Sequence, residues 1–590
     1  MSKLNNRAES VVTNDREKVL LELEEQFNLV RTGQGLAVKS REGNVTLIGK
    51  FRVHGVAYST TGSVLGIAIA RLESSKKKGI CIVPLDALRF PRKIPEYFEK
   101  IGLLAPYKQE YLQLIAEYLK KISAGREKTV VTSEGVHHIA DEELLRPIAV
   151  IGDTVIGGNS EKFLPIQDRT TSFAVKGTLK KWNNEFKPLL ANNPLMIVTL
   201  CFGLAVPLAG IANLRLIGLL IAGPSSTGKT TLGRFLMSLY RAPGDPPQWA
   251  GTANGIEALA LQHRDLPFVL DELGSSDAKG ILQVIYRISG GVSKARSTVT
   301  GALQQTEVIR SPIFATGEVT LRQQSNVNHA NMKAGHDARM PTILVDEKYG
   351  IYSNIGEVGN GAEFSALVSE AMNANYGVVY PAYLEAVVPC FLETQKFLAD
   401  MQTFVRDAVA GENITHMTGV ERRVLDGFVN MALAGELAIS HGLVPMKAGD
   451  AMNAVAYVYK QWLHRWRQQA HEPLTAPLHG LRNYFQRYSP SKFVELDSNW
   501  HDNQKMVLAG YRKFHKKHGL VYLVFPNFFE NELCKEHGVD ATFKALRHAD
   551  LIVLPNKGRK MMVRMPGRPN DGSGSRIAFY AISERILFDE

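Results

Sequence analysis

One octapeptide constrains this 590-residue chain more than any other feature. Gly223-Pro224-Ser225-Ser226-Thr227-Gly228-Lys229-Thr230 has the form G-x-x-x-x-G-K-[ST]. The apolar run LIGLLIA (216–222) precedes it, and TLGRFLMSL follows with helical spacing. Such glycines let backbone N–H groups curl around phosphates at a helix N-terminus. Lys229 is then expected to reach the β- and γ-phosphates of ATP, the Thr230 hydroxyl to ligate Mg2+, and Thr231 to complete the contacting stretch. Apolar runs alternate with helical segments over 166–350, the pattern of a parallel sheet covered by helices.

Forty-one residues beyond Thr230, the apolar strand LPFVL (266–270) ends in Asp271-Glu272. A strand beside the one feeding the loop would put Asp271 in the magnesium shell and let Glu272 polarise a water for hydrolysis. The rival reading is a capping acidic pair after a buried strand. The next apolar strand, Pro312 to Ala315, runs into Thr316-Gly317-Glu318. Ring ATPases carry a polar sensor there, which nominates Thr316; a plain strand end is the alternative. Arg339 precedes the apolar run MPTILVD, on the side where such ATPases project an arginine into a neighbour's site to stabilise transferring charge. Arg322 is the other candidate, and a surface salt bridge is open for both.

The chain's length is a soft prior for about four domains. Apolar residues at 45% and charged residues at 22% argue against disordered, collagen-like and disulfide-scaffold classes. The 69 basic less 58 acidic residues leave +11, a surplus that fits a polyanion partner only weakly at this length. Cys81, Cys201, Cys390 and Cys534 lie too far apart for a zinc pattern and suit a reducing cytoplasm. The start MSKLNNRAESVVTNDREKVL lacks the apolar core of an export signal. Leu195 to Ala212 has the length and apolarity of a membrane span, but Pro207 interrupts it and the glycine-rich loop follows closely, so a soluble core helix is expected.

The expected architecture is α/β: a helix and tail (1–46), an N-terminal α/β domain (47–165), the loop-bearing core (166–350), a helical domain (351–490) and a winged-helix-like end (491–590). In that end, Lys544 and Arg547 lie one turn apart on the second of two helices, FENELCKEHG and DATFKALRHADL, and Lys557, Arg559, Lys560 and Arg564 stud a basic hairpin. Contacts from these to DNA phosphates would tolerate any sequence and weaken with salt; protein contact is the alternative. Tyr511-Arg512-Lys513-Phe514-His515-Lys516-Lys517 could stack on bases or form an amphipathic helix with core aromatics. Ser293-Lys294-Ala295-Arg296 leads into an alternating segment that reads as a hairpin turning near Gly301. His137 and His138, adjacent on a strand, point to opposite faces and converge poorly on a metal.

The ordered set GPSSTGKTT (223–231), GTANGIEALA (251–260), FVLDELG (268–274), GGVSKAR (290–296), ATGEVTL (315–321) and KAGHDARMPTILVD (333–346) resembles a domain-of-unknown-function ATPase family of phages, plasmids and integrative elements. That family is a branch of the AAA+ P-loop NTPases and includes the MCM-like Cch helicases of staphylococcal cassette chromosomes. Similarity extends over about residues 50–590. The family's usual Gly-Trp-His is Gly135-Val136-His137 here, and Gly427 stands before Phe428 where an arginine is frequent. Arg422 or Arg423 remains as a second sensor, with Arg423 the one assigned to nucleotide.

The resemblance implies a ring-forming motor, a homohexamer, that opens single-stranded or forked DNA during replication of a mobile element, with ATP and Mg2+. It implies that the 293–309 hairpin projects into the ring's channel, bringing Lys294 and Arg296 to DNA, and that a primase or polymerase and a single-strand-binding protein act alongside; no membrane partner is implied. A different class, an ATP-dependent DNA-binding switch such as an initiator or anti-phage sensor, would use the same residues. A protein-remodelling ring is a third.

Overall fold

Alternation of inward apolar and outward polar side chains sets the first strands, as in Phe51, Val53 and Ala57, buried while Arg52 is exposed. The computed structural model describes residues 18, 20–41, 43–60, 62–72, 79–131, 133–141, 144–158, 162–165, 173–275, 278–293, 308–327, 332–345, 348–411, 417–496, 508–535, 537–555, 558–565 and 576–588. They divide into two units, Met1–Trp462 and Leu463–Glu590.

The first unit opens with an antiparallel sheet of β1 (Leu29–Thr32), β2 (Gly35–Ser40) and β3 (Gly43–Gly49). β4 (Phe51–Tyr58), β5 (Val64–Arg71) and β6 (Ile80–Pro84) follow, then α1 (Gln109–Ser123) and β7 (Glu127–Val131). Leu112, Ile115, Leu119 and Ile122 recur at helical spacing, so α1 lays one apolar stripe into the core that holds Phe51 and Phe98. β8 (Gly135–Asp141), β9 (Leu144–Ile151) and β10 (Thr154–Ile156) form a separate antiparallel sheet. β11 (Phe163–Pro165) completes the five-stranded order β11-β7-β4-β5-β6.

Two helices lead into the centre. α2 (Leu179–Leu190) starts where the Thr178 hydroxyl accepts from Lys181 N–H at 3.3 Å. α3 (Pro194–Ala212) is apolar all round, and 89% of its most apolar window is buried inside the protein. A helix of that kind belongs in a core when neighbours cover every face. Covering it requires close approach: a Cβ on Gly203 would stand 2.8 Å from side-chain carbons of Leu236 and Leu239, and one on Gly435 would stand 2.5 Å from Cys201 Sγ.

Next come β12 (Leu219–Ala222), α4 (Lys229–Ser238), α5 (Ala253–Gln262), β13 (Phe268–Leu270), α6 (Ala278–Ser289), β14 (Ile313–Gly317), α7 (Leu321–Val327), α8 (Ala334–Asp337) and β15 (Thr342–Leu344). The four strands are parallel in the order β13-β14-β12-β15. β12, β13 and β14 are buried along their whole length, which is why they read as unbroken apolar runs rather than alternating ones. Parallel pairing puts all four C-terminal ends on one edge, and the loop leaving β12 lies on that edge.

Helices α9 (Gly361–Ala374), α10 (Val379–Val387), α11 (Phe391–Ala410) and α12 (Gly419–Ser440) follow. Thr418 and Glu421 make a reciprocal cap on α12, at 3.2 and 2.7 Å. α13 (Asp450–Lys492) is counted with the first unit up to Trp462 and with the second thereafter.

The second unit holds β16 (Phe493–Glu495), β17 (Gly510–His515), β18 (Gly519–Val524), α14 (Val539–His548), β19 (Ile552–Val553), β20 (Met561–Arg564) and β21 (Arg576–Ser583). Its sheet runs β16-β17-β18-β21-β19, with β20 also on β21, around Phe485, Phe493, Tyr522 and Tyr580. Two expectations change here. FENELCKEHG gives a π-helical turn at Phe529–Leu533 rather than a regular helix. The aromatic-basic run 511–517 enters β17, so it is a strand and not an amphipathic helix, because its apolar cross-strand partners on β18 give it a sheet to join.

Candidate nucleotide site

The turn out of β12 is shaped by backbone geometry. Gly228 has φ +88°, and a Cβ there would also meet Ile351 Cγ1 at 3.0 Å, so only glycine fits. Ser226 is likewise left-handed at φ +62°. Residues 350–351 brace the turn from outside, with Ile351 N–H donating to Thr227 O at 2.9 Å. α4 begins at Lys229 with no side-chain cap. Its first N–H groups and partial positive charge therefore face the concave side of the loop, the arrangement that holds an anion. Pro224 to Ser226 are exposed and Thr231 is half-buried.

Lys229 is the charged group in this hollow. Its Nζ donates to Pro224 O at 2.5 Å and to Thr227 Oγ1 at 3.3 Å. Burial lowers its pKa from the ordinary lysine value, while Glu318 and Asp271 pull the other way. Two carboxylates close enough to act on the lysine mark this as the place where opposite charges converge.

Asp271 gathers its neighbours. Thr230 Oγ1 donates to Asp271 Oδ2 at 2.9 Å, the Thr316 hydroxyl donates to Oδ1, and Glu272 N–H donates to Oδ1 at 3.0 Å. Strand register brings this about, since Ile221 of β12 pairs with Thr316 and Leu270 of β13 pairs with Ala315. A carboxylate and a hydroxyl from two adjacent elements are hard oxygen donors of the kind that suits Mg2+. Glu272 itself sits at φ +57°, an uncommon backbone state for a non-glycine residue.

Gln248 is a participant that sequence reasoning missed. Its Nε2 donates to Glu272 Oε2 at 3.1 Å. Asp271 N–H donates to Pro247 O at 2.9 Å and Trp249 N–H to Asp271 O at 3.1 Å, so 247–249 extends the sheet beside β13. The surrounding APGDPPQWAG carries the proline and glycine signals of a turn, which hides the strand-like pairing.

The arginines lie elsewhere. Arg339 follows α8, with Nη1 donating to Gly335 O at 2.8 Å and its guanidinium 4.3 Å over the Tyr286 ring. Its carbonyl accepts from Gly218 N–H at 2.7 Å, at the entry end of β12, opposite the glycine-rich loop. There it helps line a cavity of about 650 Å3 with Arg310, Pro312 and His138. Arg322 Nη2 lies 3.4 Å from Asp337 Oδ2, and burial raises that carboxyl's pKa to about 6.

Arg422 and Arg423 are exposed on α12. That helix packs at the same entry end: a Cβ on Gly427 would lie 2.4 Å from Ile217 side-chain carbons, and Asn430 Nδ2 donates to Arg215 O at 2.8 Å. Gly427, one turn further along the helix than Arg423, is thereby seated at the entry end of the sheet, opposite the glycine-rich loop.

Among the expected DNA contacts, Lys294, Arg296 and Lys557 lie outside the described residues. Val292 and Val308 pair in an antiparallel bridge. Lys544, Arg547 and Arg564 are exposed. Arg559 donates to Asp540 Oδ1 at 2.6 Å and covers the Phe543 ring, and Lys560 pairs with Glu530 at 2.8 Å. His137 is buried, its Nε2 2.9 Å from Ser133 O, and burial drops its pKa to about 4.

Residues 94–308 match the family described as a domain of unknown function (DUF927). The solved structure titled SCCmec type IV Cch, an active helicase, superposes with a TM-score of 0.65 over 95% of this chain and 98% of its own, at 17% identity. This chain therefore has the fold of that helicase. The C-terminal region of NrS-1 in its A-form apo structure aligns over 68% of this chain and 92% of its own at 11% identity, with a TM-score of 0.24, too loose to bear on the fold. No curated protein matches the sequence.

Proposed function

We propose that this chain is an ATP-hydrolysing DNA helicase of the MCM-like AAA+ type, working as a homohexameric ring on forked or single-stranded DNA. The observation that carries the proposal is the convergence of Thr230, Asp271 and Thr316 at one edge of parallel strands, beside Lys229 and the uncapped N-terminus of α4. Gly223 to Thr231 would bind the triphosphate, with Lys229 neutralising its outer phosphates. Thr230 and Asp271 would hold Mg2+, which when bound would offset phosphate charge. Glu272 would take the proton of the attacking water, and Thr316 would orient the cluster through Asp271.

Arg339 at the opposite end of the sheet suits a role on the next protomer, as does Arg423. The domain scheme proposed is an N-terminal segment (1–46), whose residues from Leu29 on join the sheet β1–β3 rather than a helix or tail, a collar (47–165), the motor core (166–350), a helical domain (351–490) and a winged-helix-like DNA-binding end (491–590). Lys294, Arg296, Lys544, Arg547, Lys557, Arg559, Lys560 and Arg564 are the proposed DNA contacts, Arg559 and Lys560 on exchange of their present carboxylate partners. Replication of a mobile element in the cytoplasm, with a primase or polymerase and a single-strand-binding protein, is the proposed setting.

Strand displacement on a forked duplex with ATP and Mg2+, run beside Glu272→Gln, tests this. Wild type should displace and Glu272→Gln should bind ATP without turnover or displacement. Hydrolysis and fork binding without displacement would replace the motor with an ATP-dependent switch.

A further inference from the structure

The run 511–517 is a sequence motif that the proposed site does not use, and the structure removes its helical reading. In a helix, Tyr511 and Phe514 would share a face and both be buried. In β17 they fall on opposite faces. Tyr511 is 6% exposed and packs edge-on to Phe525 and Phe579, at 5.6 and 6.0 Å. Phe514 is 72% exposed.

Its own hairpin is uniformly basic, with Glu495 of the neighbouring β16 in register with Arg512. From Leu508 to Phe525 there is no aspartate or glutamate, while Arg512, Lys513, Lys516 and Lys517 are cationic and His515 and His518 can become so. Among the described residues none of these four cations has a carboxylate partner, in contrast to Arg559 and Lys560 of the same unit. The tip is ordered by its own turn: His518 N–H donates to His515 O at 3.2 Å, Lys517 N–H to His515 Nδ1 at 3.3 Å, and Gly519 takes φ +69° to close it. Phe514 stands in register with Leu520 of β18, which is half-buried, so one flank of the ring is supported and its outer surface is open.

We infer that the tip of the β17–β18 hairpin is a binding site for single-stranded nucleic acid, with Phe514 as a stacking platform for a base and Arg512, Lys513, Lys516 and Lys517 as phosphate partners. The inference rests on the DNA-motor reading and adds a site to it. An exposed aromatic ring among unpaired cations matches the two demands of a single strand, a π-face to stack on and backbone charge to neutralise. A duplex keeps its base faces stacked inside and offers Phe514 nothing. A protein partner would need acidic groups for the cations but would make no use of the ring's preference for bases.

The test uses the full-length chain, with affinity for a fluorescent oligo-dT measured across salt concentrations. Phe514→Ala should weaken oligo-dT binding about tenfold and leave duplex binding unchanged, and Phe514→Trp should restore it. Lys516→Gln with Lys517→Gln should lower the slope of log affinity against log salt by about 1.4. ATP turnover without DNA should not change in any variant, and unfolding midpoints serve as the folding control.

Unchanged oligo-dT affinity in Phe514→Ala, or equal loss on single strand and duplex, overturns the stacking site while a wild type that still unwinds forks keeps the motor reading. Wild type that binds no oligo-dT overturns both. Altered self-association in the variants with intact DNA binding reassigns the tip to a protein contact.

Discussion

Asp271 accepts three hydrogen bonds, and each ties it to a residue with a different proposed task. Thr316→Val removes one donor while keeping shape. It is expected to lower ATP turnover by about 10–100-fold with little change in ATP affinity, as measured by steady-state kinetics beside equilibrium binding. Lys229→Ala, by contrast, should abolish nucleotide binding or turnover. A pH effect belongs to His263, whose Nδ1 lies 2.8 Å from Leu259 O and whose burial lowers its pKa from 6.5 to about 4. Between those values the unfolded chain holds a proton that the folded chain refuses, so stability is full above pH 6.5 and is lost as pH falls toward 4. The slope is about 1.4 kcal/mol per pH unit for such a group. His263→Gln should flatten the thermal-unfolding profile over that window, leaving His137 to carry the remainder. At this scale the glycine-rich loop was legible from its fixed internal spacing and the Asp271-Glu272 pair from the apolar strand it ends. Gln248 was not, since its role depends on pairing across 24 positions that no local pattern encodes.

Elements are joined by a buried ion pair. Asp265 is fully buried and accepts from Arg310 Nε at 2.5 Å, Arg310 Nη2 at 2.7 Å and Val136 N–H at 2.8 Å. Arg310 Nη2 also donates to Val136 O at 2.6 Å, and the Tyr380 hydroxyl donates to Asp265 O. β8, the residues entering β14, and α10 therefore meet at one residue, the first two at its carboxylate and α10 at its main-chain carbonyl. Arg310→Met leaves that buried charge facing Arg264 Nε at 3.8 Å without its two short bonds and should cost about 3–5 kcal/mol in urea unfolding, whereas adding Asp265→Asn should recover part of the loss. The run of helices from α9 to α12 lies within the stretch 351–490 expected to be helical. The strand identity of 511–515 was not legible, because aromatics three apart satisfy a helical stripe as readily as they straddle a strand. The seat of α12 was equally hidden, since Gly427 acquires meaning only when Ile217 is brought against it.

At the scale of the whole molecule, the two units have their own apolar cores, the second with one around Phe485, Tyr522 and Tyr580 and another around Tyr511 and Phe579, the first with several. Calorimetry should resolve separate transitions, and Mg-ATP at a hundred times its Kd should raise only that of Met1–Trp462, by about 2.7 kcal/mol. A raised second transition would count against nucleotide binding confined to the first unit. Within that unit, residues 309–316 join two places of interest. Ile309 N–H donates to Gly291 O, and Thr316 meets Asp271 at the other end. Seven residue steps separate the two, at most about 23 Å at roughly 3.3 Å per residue were the chain fully extended. The part from Ile313 onward is a push-rod: laddered to β12 and β13, it cannot lengthen or shorten while those bonds hold. Travel imposed on Thr316 would therefore reach Ile313 undiminished and unmagnified, and Arg310, clamped on Asp265, is the next fixed point along the chain.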